Sequence, residues 1–281
     1  MIDLQLLVEQ ANDLAPFPAS TVRLAQLVTN PDCNIAEVAE LIAYDPSLTV
    51  KLLRAANSAA SASATRVVTV QEAVTRMGTS LVLSLAVAAG ARPYLETKIP
   101  AYGLDEGALW RHSVAAAVAA ETARKFCSVE VPPEVFTAAL LHDVGKVVMG
   151  RFLSADILHY ISLAQTEDHL SALEAETQIL SVHHGELGGL IAQHWQLPAG
   201  IVLGITYHHN PDQGMSAIGD FTYLANWVAK RVEASLDHRK LDFSFPPEIA
   251  VRLGTTAGQL ENLCPVTAAR FVQVSERYSA V

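Results

Sequence analysis

Histidines grouped with polar partners are the residues of this chain best suited to chemistry. They occur at four places, each on or next to a predicted helix: His112, His142-Asp143, His183-His184 and His208-His209. Neutral imidazoles and carboxylates are the usual protein ligands of Fe, Mn, Zn and similar ions. Helical proteins build metal sites from such side chains when several helices direct them into a bundle interior. The pattern therefore predicts an ion-binding pocket.

Each group taken alone also has a simpler interpretation. A single histidine such as His112 on a helix is more often a hydrogen-bonded interior residue than a ligand. His208-His209 could form a polar helix end, where an imidazolium favours the helix dipole. His142-Asp143 directly follows the apolar residues 138–141, so it starts from a buried face and needs polar partners. Its alternative is a His–Asp pair that only links two helices.

Three neighbouring features carry a functional and a structural interpretation. Lys146 could attract a phosphate, or it could be a solvated lysine at a helix end. Glu186 could support His184, or it could simply be exposed. Gly188-Gly189 is interpreted as permitting close helix packing, because the residues that follow form a buried helix and not a phosphate-binding loop.

Composition excludes several classes of function. The chain has 281 residues, of which 51% are hydrophobic and 17% charged, and its net charge is −10. Phosphate backbones require a concentrated Lys/Arg surface, so no nucleic-acid partner is expected. Three dispersed cysteines without a CxxC pair (Cys33, Cys127, Cys264) favour a reducing compartment. The N-terminus lacks the pattern of a signal peptide, and the apolar run 81–91 is shorter than the roughly 20 residues of a membrane span. We therefore expect a soluble cytoplasmic protein without a membrane partner.

Helix signals recur along the chain, and strand signals are almost absent. Asn34-Glu37 and Thr69-Glu72 are spaced as capping boxes, and Asp45-Pro46 combines an N-cap with a first-turn proline. The expected fold class is all-α. We predict helices over residues 34–43, 45–56, 69–78, 80–90, 105–126, from 132–133 to 145 or 150, and over 154–164, 168–180, 184–194, 198–209, 216–234, 247–252, 256–262 and 265–278.

One break in this pattern indicates the domain organisation. Residues 92–103 contain Pro93, Pro100 and Gly103, and such residues commonly separate packed units. We predict a smaller N-terminal helical bundle over residues 1–100 and a larger helical bundle with the metal pocket over residues 101–281.

A family resemblance joins these observations. Residues 140–146, Leu-Leu-His-Asp-Val-Gly-Lys, resemble the HD-x-G-K signature of HD-superfamily phosphohydrolases. Over about residues 10–235 the chain is similar to an HDOD domain, a module of bacterial signalling usually regarded as lacking phosphohydrolase activity. The resemblance implies an HD-superfamily-like helical bundle. The matching segments are residues 14–18, 45–48, 52–59, 73–78, 184–189, 195–198 and 207–211.

The resemblance also implies a ligand set for a divalent Fe, Mn, Zn or Ni ion. The superfamily ends its set with an aspartate, but this chain has Asn226, a neutral and weaker ligand, at that position. Asp220 lies six residues upstream on another helical face and is an imperfect substitute. The implied metal ligands are His112, His142, Asp143, His184, His208, His209 and, weakly, Asn226.

Two functions follow as expectations. The first is a non-catalytic signalling or regulatory module that binds a signalling protein and retains part of an HD-type metal site. The second is a metal-dependent phosphohydrolase that acts on a nucleotide, cyclic dinucleotide or other small phosphorylated ligand. In that case His142, Asp143 and Lys146 would be catalytic.

Overall fold

The regular elements of the protein are helices. A computed structural model describes residues 9, 14–57, 66–167, 169–236 and 244–279, and within these ranges the one β-type contact is an isolated bridge between Ile99 and Leu104. The all-α prediction is confirmed. In the same ranges no single helix has the length and apolar character of a membrane span. Val70–Met77 and Thr79–Leu95 reach it only when counted together across a 111° bend.

Within the described residues, the first four helices listed below are short and begin at polar caps or prolines, and the fifth is longer and follows Gly78. Asn34 Oδ1 accepts the Glu37 amide at 3.0 Å, and Thr69 Oγ1 accepts the Glu72 amide at 3.2 Å, so both predicted N-caps are confirmed. The first helix, α1, was not predicted from the sequence. The elements are α1 (Ala19–Val28), α2 (Ile35–Ala43), α3 (Pro46–Ala56), α4 (Val70–Met77) and α5 (Thr79–Leu95).

Asp45 caps α3 and also ties it to α1. Its Oδ1 accepts the Leu48 amide at 2.9 Å, and its Oδ2 accepts the Ser20 hydroxyl at 2.6 Å. These two hydrogen bonds, the hydroxyl first, lower the pKa of Asp45 below its ordinary value. We therefore expect Asp45→Ala to reduce the free energy of unfolding by about 1 kcal/mol, as for other lost N-caps.

The pH dependence of this cap has a defined sign. Because the pKa of Asp45 is lower in the folded than in the unfolded state, its ionised carboxylate stabilises the fold. This contribution is complete above the unfolded-state pKa of about 3.9 and is lost as the pH falls through the folded-state pKa. Asp45→Asn keeps the acceptor but not the charge, so its stability deficit should shrink toward acid. Urea unfolding of the parent, Asp45→Asn and Asp45→Ala between neutral and acid pH measures this. A deficit that grows toward acid would contradict it.

The remaining helices build the part of the molecule that holds the histidines. A 3-10 turn, Pro100–Tyr102, leads into them. They are α6 (Ala108–Ala123), α7 (Glu134–Leu141), α8 (Gly145–Phe152), α9 (Ala155–Thr166), α10 (Ala172–Leu180), α11 (His184–His194), α12 (Ala199–Thr206), α13 (Pro211–Gly214), α14 (Ala217–Leu236), α15 (Pro247–Leu253) and α16 (Ala257–Ser279).

Several predicted boundaries were wrong. The helix expected to run to residue 145 or 150 stops at Leu141, and α8 begins at Gly145, because the chain turns to bring Gly145 against α11. The helix expected to reach residue 209 ends at Thr206. Pro93 was taken as part of a break but lies inside α5, and the helices predicted over residues 256–262 and 265–278 form one helix, α16, with Pro265 inside it. Buried Ala91 and Leu95 flank Pro93, so packing outweighs the local cost of proline in α5.

Two hydrophobic cores lie among the helices. The larger includes apolar residues of α1–α5 together with α6, α7, α8, α11 and α12. The smaller is formed mainly by α6, α14, α15 and α16, with alanines of α6 allowing close approach. The larger core thus contains residues from both sides of position 100. The boundary at that position stays a prediction.

Candidate metal centre

The predicted ligand residues come from separate elements and meet at Asp143. They form two groups, and in each group one ligand-type atom of every residue lies within 4.8 Å of the others. All are buried except His209, which is partly buried. The three-residue group is His112, His142 and Asp143, and the four-residue group is Asp143, His184, His208 and His209.

The two oxygens of Asp143 face different histidines. Oδ1 lies 3.2 Å from His184 Nε2 and 3.7 Å from His208 Nε2. Oδ2 lies 3.4 Å from His142 Nε2 and 3.7 Å from His112 Nε2. One carboxylate therefore belongs to both groups, with one oxygen directed to each.

Backbone carbonyls orient two of the rings. His142 Nδ1 lies 2.7 Å from the Ala139 carbonyl oxygen, and His208 Nδ1 lies 2.7 Å from the Ile205 carbonyl oxygen. A carbonyl can only accept, so Nδ1 donates in both rings. In a neutral imidazole this leaves Nε2 as a bare acceptor.

Glutamates orient two further rings in the same manner. His184 Nδ1 lies 2.7 Å from Glu176 Oε2, and His112 Nδ1 lies 3.0 Å from Glu233 Oε2. An ionised carboxylate accepts only, so these rings also donate from Nδ1. The Nε2 atoms of His112, His142, His184 and His208 are thus left as acceptors.

His184 Nε2 lies 2.9 Å from His209 Nε2, but other inward-facing acceptors lack donors. His112 Nε2 and His142 Nε2 lie 3.2 Å apart, a contact in which two lone pairs would repel. Asp143 Oδ1 and His208 Nε2 are buried without a hydrogen-bond partner among the described residues. Unpaired buried acceptors are costly, and a cation bound among them would remove that cost. The residues present therefore fit a metal ion.

A comparison with known families identifies the family of the chain. The HDOD domain model matches residues 14–211. The chain belongs to the HDOD family. A curated protein of Treponema pallidum (strain Nichols), named only as uncharacterized, is 26% identical over 267 residues, which cover 91% of this chain and 50% of that protein. This HDOD chain thus spans about half the length of the curated relative it matches.

Solved structures share the fold. A provisionally named phosphohydrolase from Shewanella amazonensis SB2B is 23% identical with a TM-score of 0.69, and the match covers 98% of this chain and 97% of that one. A provisionally named signal transduction protein from Marinobacter aquaeolei VT8 is 20% identical with a TM-score of 0.73 and covers 100% and 62%, respectively. The HDOD protein therefore has the helical arrangement of these proteins.

Burial keeps three of the donor histidines, His142, His208 and His209, neutral, the form that binds metal. Burial first, then neighbouring histidines, holds the pKa of His208 and of His209 far below the ordinary value. Burial also lowers the pKa of His142. Burial opposes ionisation of Asp143, but His142 and Lys146 outweigh it and hold the pKa of Asp143 well below its usual range. The pocket thus combines these three neutral imidazoles with an ionised carboxylate.

His184 behaves differently from the other rings. Burial and Lys146 act to lower its pKa, but the carboxylates of Asp143 and Glu176, one at each ring nitrogen, outweigh them and raise it. A second proton on this ring would lie between Nε2 and Asp143. A metal ion at that place would replace the proton.

The two candidates for the closing ligand occupy different environments. Asn226 is buried on α14, and its Oδ1 has no hydrogen-bond partner in the ranges that the structure describes. Its role as a weak ligand stays a prediction. Asp220 instead pairs with Arg252, whose Nη2 and Nε lie 2.6 and 2.8 Å from its two oxygens. Both oxygens of Asp220 are therefore engaged away from the histidines.

A cavity of about 350 Å³ opens beside the centre. Lys146 Nζ lies 2.6 Å from Asp143 Oδ2, so this lysine is not merely a solvated helix end. Lys230 was not anticipated, and burial lowers its pKa. The polar lining residues are Arg111, His112, Asp143, Lys146, Lys230 and Glu233.

Sequence spacing could have identified some of the site residues that were not predicted. Asn226, Lys230 and Glu233 are four and three residues apart on α14, and residues so spaced share a helix face. Glu176 has no such relation to His184, because it lies on another helix. Glu186 contacts His183, whose amide it accepts at 3.1 Å, and completes a capping box there. It therefore caps α11, and its contact is with His183 instead of His184.

Gly188 and Gly189 serve packing, as interpreted from the sequence. A side chain at Gly189 would overlap the Thr206 hydroxyl, and one at Gly188 would crowd Ile205 of α12. Their lack of side chains lets α11 lie directly against α12. This contact places His184 near the two histidines that follow α12.

Proposed function

We propose that this HDOD protein is a metal-binding signalling module that does not turn over phosphoesters. The observation that carries the proposal is the set of inward-facing Nε2 acceptors around Asp143. Four rings are held through Nδ1, so their Nε2 atoms are directed toward Asp143, two on the side of each carboxylate oxygen. Such orientation is typical of ligands prepared for an ion.

The donor chemistry indicates the class of ion. Imidazole nitrogens with a single carboxylate suit Fe, Mn, Zn or Ni better than Mg or Ca, which favour oxygen. The ligands would be His112, His142, Asp143, His184, His208 and His209, with Asn226 as a weak addition. A bound ion would supply positive charge and Lewis acidity at this place.

Charge balance supports a regulatory role. Asp143 is the one carboxylate in the two donor groups, and a neutral amide, Asn226, stands where the resemblance implies a closing aspartate. Fewer anionic ligands weaken the hold on a second ion, and two-metal phosphoester hydrolysis depends on both ions. The Marinobacter neighbour's provisional name as a signal transduction protein also favours a signalling protein as partner.

A phosphohydrolase is the second candidate, and the cavity favours it. Arg111, Lys146 and Lys230 bring positive charge to a space that also contains Asp143. Such charge would attract a small phosphorylated ligand and stabilise developing charge on its oxygens. The provisional name of the Shewanella neighbour is in line with this alternative.

One experiment separates the two. The purified protein is loaded separately with Fe, Mn, Zn or Ni and incubated with nucleotides, cyclic dinucleotides and p-nitrophenyl phosphoesters. We expect bound metal by elemental analysis and no product above that of a His142→Ala, Asp143→Ala control. Turnover that disappears in this control would establish the hydrolase, and absence of metal under all four loadings would refute the metal site.

A further inference from the structure

Two glutamates outside the donor groups each hold one histidine by its outer nitrogen. Glu176 Oε2 accepts from His184 Nδ1 at 2.7 Å, and Glu233 Oε2 accepts from His112 Nδ1 at 3.0 Å. His184 belongs to the four-residue group and His112 to the three-residue group. Each group therefore has its own glutamate.

We propose that Glu176 and Glu233 are positioning residues, each of which sets the ion affinity of the one histidine group that it contacts. The inference rests on the proposed metal site. A carboxylate behind a ligating imidazole fixes its tautomer and orientation and makes its free nitrogen more basic. Each glutamate contacts its histidine at Nδ1, the nitrogen on the other side of the ring from Nε2, so each acts through its histidine.

Their negative charge distinguishes these glutamates from the backbone carbonyls that accept hydrogen bonds from the other two histidines. His142 and His208 are held by neutral backbone carbonyls, which orient the rings without adding charge. Asp143 is the one carboxylate in the donor groups. Glu176 and Glu233 add one negative charge behind each group and so offset part of the charge of a bound cation.

Burial predicts unequal effects. The Glu176 side chain is 3% exposed and also accepts the His184 backbone amide at 2.9 Å, whereas the Glu233 side chain is 34% exposed. Water screens a charge at a surface much more than a buried one. Loss of the charge at Glu176 should therefore weaken ion binding more than the same loss at Glu233.

Glutamine variants separate positioning from folding. The amide oxygen of E176Q or E233Q can still accept from the histidine Nδ1, but it carries no charge. Glu186 and Glu121 provide matched controls. Glu186 contacts His183, which is outside the donor groups, and Glu121 on α6 pairs with Arg270 at 3.3 Å. E186Q and E121Q should bind ions as the parent does.

The test is a calorimetric titration of metal-free protein with Zn²⁺, with elemental analysis of the ions retained. We expect E176Q to weaken one binding event about 10- to 100-fold and E233Q to weaken another by about 10-fold or less, the range found for partners of metal ligands. In a His112→Ala background, which removes the three-residue group, E233Q should have no further effect while E176Q keeps its own.

The outcomes separate this inference from the proposed function. A parent that binds no Zn²⁺ refutes the metal site itself. A parent that binds Zn²⁺ equally well in E176Q and E233Q overturns the role of the glutamates. Equal weakening of every binding event by both variants overturns their assignment to separate groups. Glu233 is partly exposed, so E233Q should fold. This variant therefore tests the role of the glutamates even if E176Q does not fold.

Discussion

An Asp143→Asn variant is expected to be purified with about one tenth or less of the parent's metal, because its carboxylate belongs to both histidine groups. The amide lacks the negative charge that offsets a cation. It can also direct an N–H into the space between the Nε2 acceptors, where a donor repels an ion. No single histidine substitution removes a ligand from both groups, so this substitution should have the largest effect on metal content.

Elemental analysis of protein from metal-supplemented cultures measures the loss. Asp220→Asn is the matched control, since Asp220 is also a buried, ion-paired aspartate (7% exposed against 2% for Asp143) but is paired with Arg252. The control should unfold more easily and keep its metal. Equal metal content in parent and Asp143→Asn would show that the ion, if bound, lies elsewhere.

A Gly145→Ala variant is expected to lose stability by about 3 kcal/mol, the upper end for overpacking a tight contact. A Cβ at Gly145 would overlap the backbone carbonyl oxygen of His184 and lie 2.8 Å from the Gly188 amide nitrogen. Backbone atoms cannot rotate away as a flexible side chain can. The first turn of α8 would have to move away from α11. This movement would increase the distance between Asp143 and His184, so the variant should also bind less metal.

Thermal and urea unfolding measure the change in stability. Gly258→Ala on α16 is the control, because nothing lies within 4 Å of a Cβ placed there, and we expect it to change stability by less than about 1 kcal/mol. Gly145 and Gly258 both have helical backbones, so the difference between the variants reports packing alone. Equal stability of the two variants would contradict the close approach of α8 and α11.

The sequence supported prediction where the information was local. Side-chain types indicated the grouped histidines as possible ligands, and Asn34, Asp45 and Thr69 stand directly before the helices that they cap. Both kinds of signal depend on neighbours within a few residues. The HDOD resemblance then supplied the expected arrangement of the helices.

Features that depend on distant contacts were not predictable in this way. Glu176 meets His184 across a helix boundary, and Glu233 meets His112 from a helix more than a hundred residues away. The turn after Leu141 follows from the contact of Gly145 with α11, and neighbouring residues do not specify it. Pro93 showed the opposite error, because a local helix-breaking signal was outweighed by burial of the surrounding helix.

The placement of Asp143 between the two groups has a thermodynamic consequence. If one ion were bound on the Oδ1 side and another on the Oδ2 side, they would share the single negative charge of Asp143. Each ion would therefore be stabilised less than if it were bound alone. Linkage requires that each ion alter the affinity of the other by an identical factor. The pair is therefore expected to fill with negative cooperativity, and the occupancy of the weaker place would report the concentration of free metal around the protein.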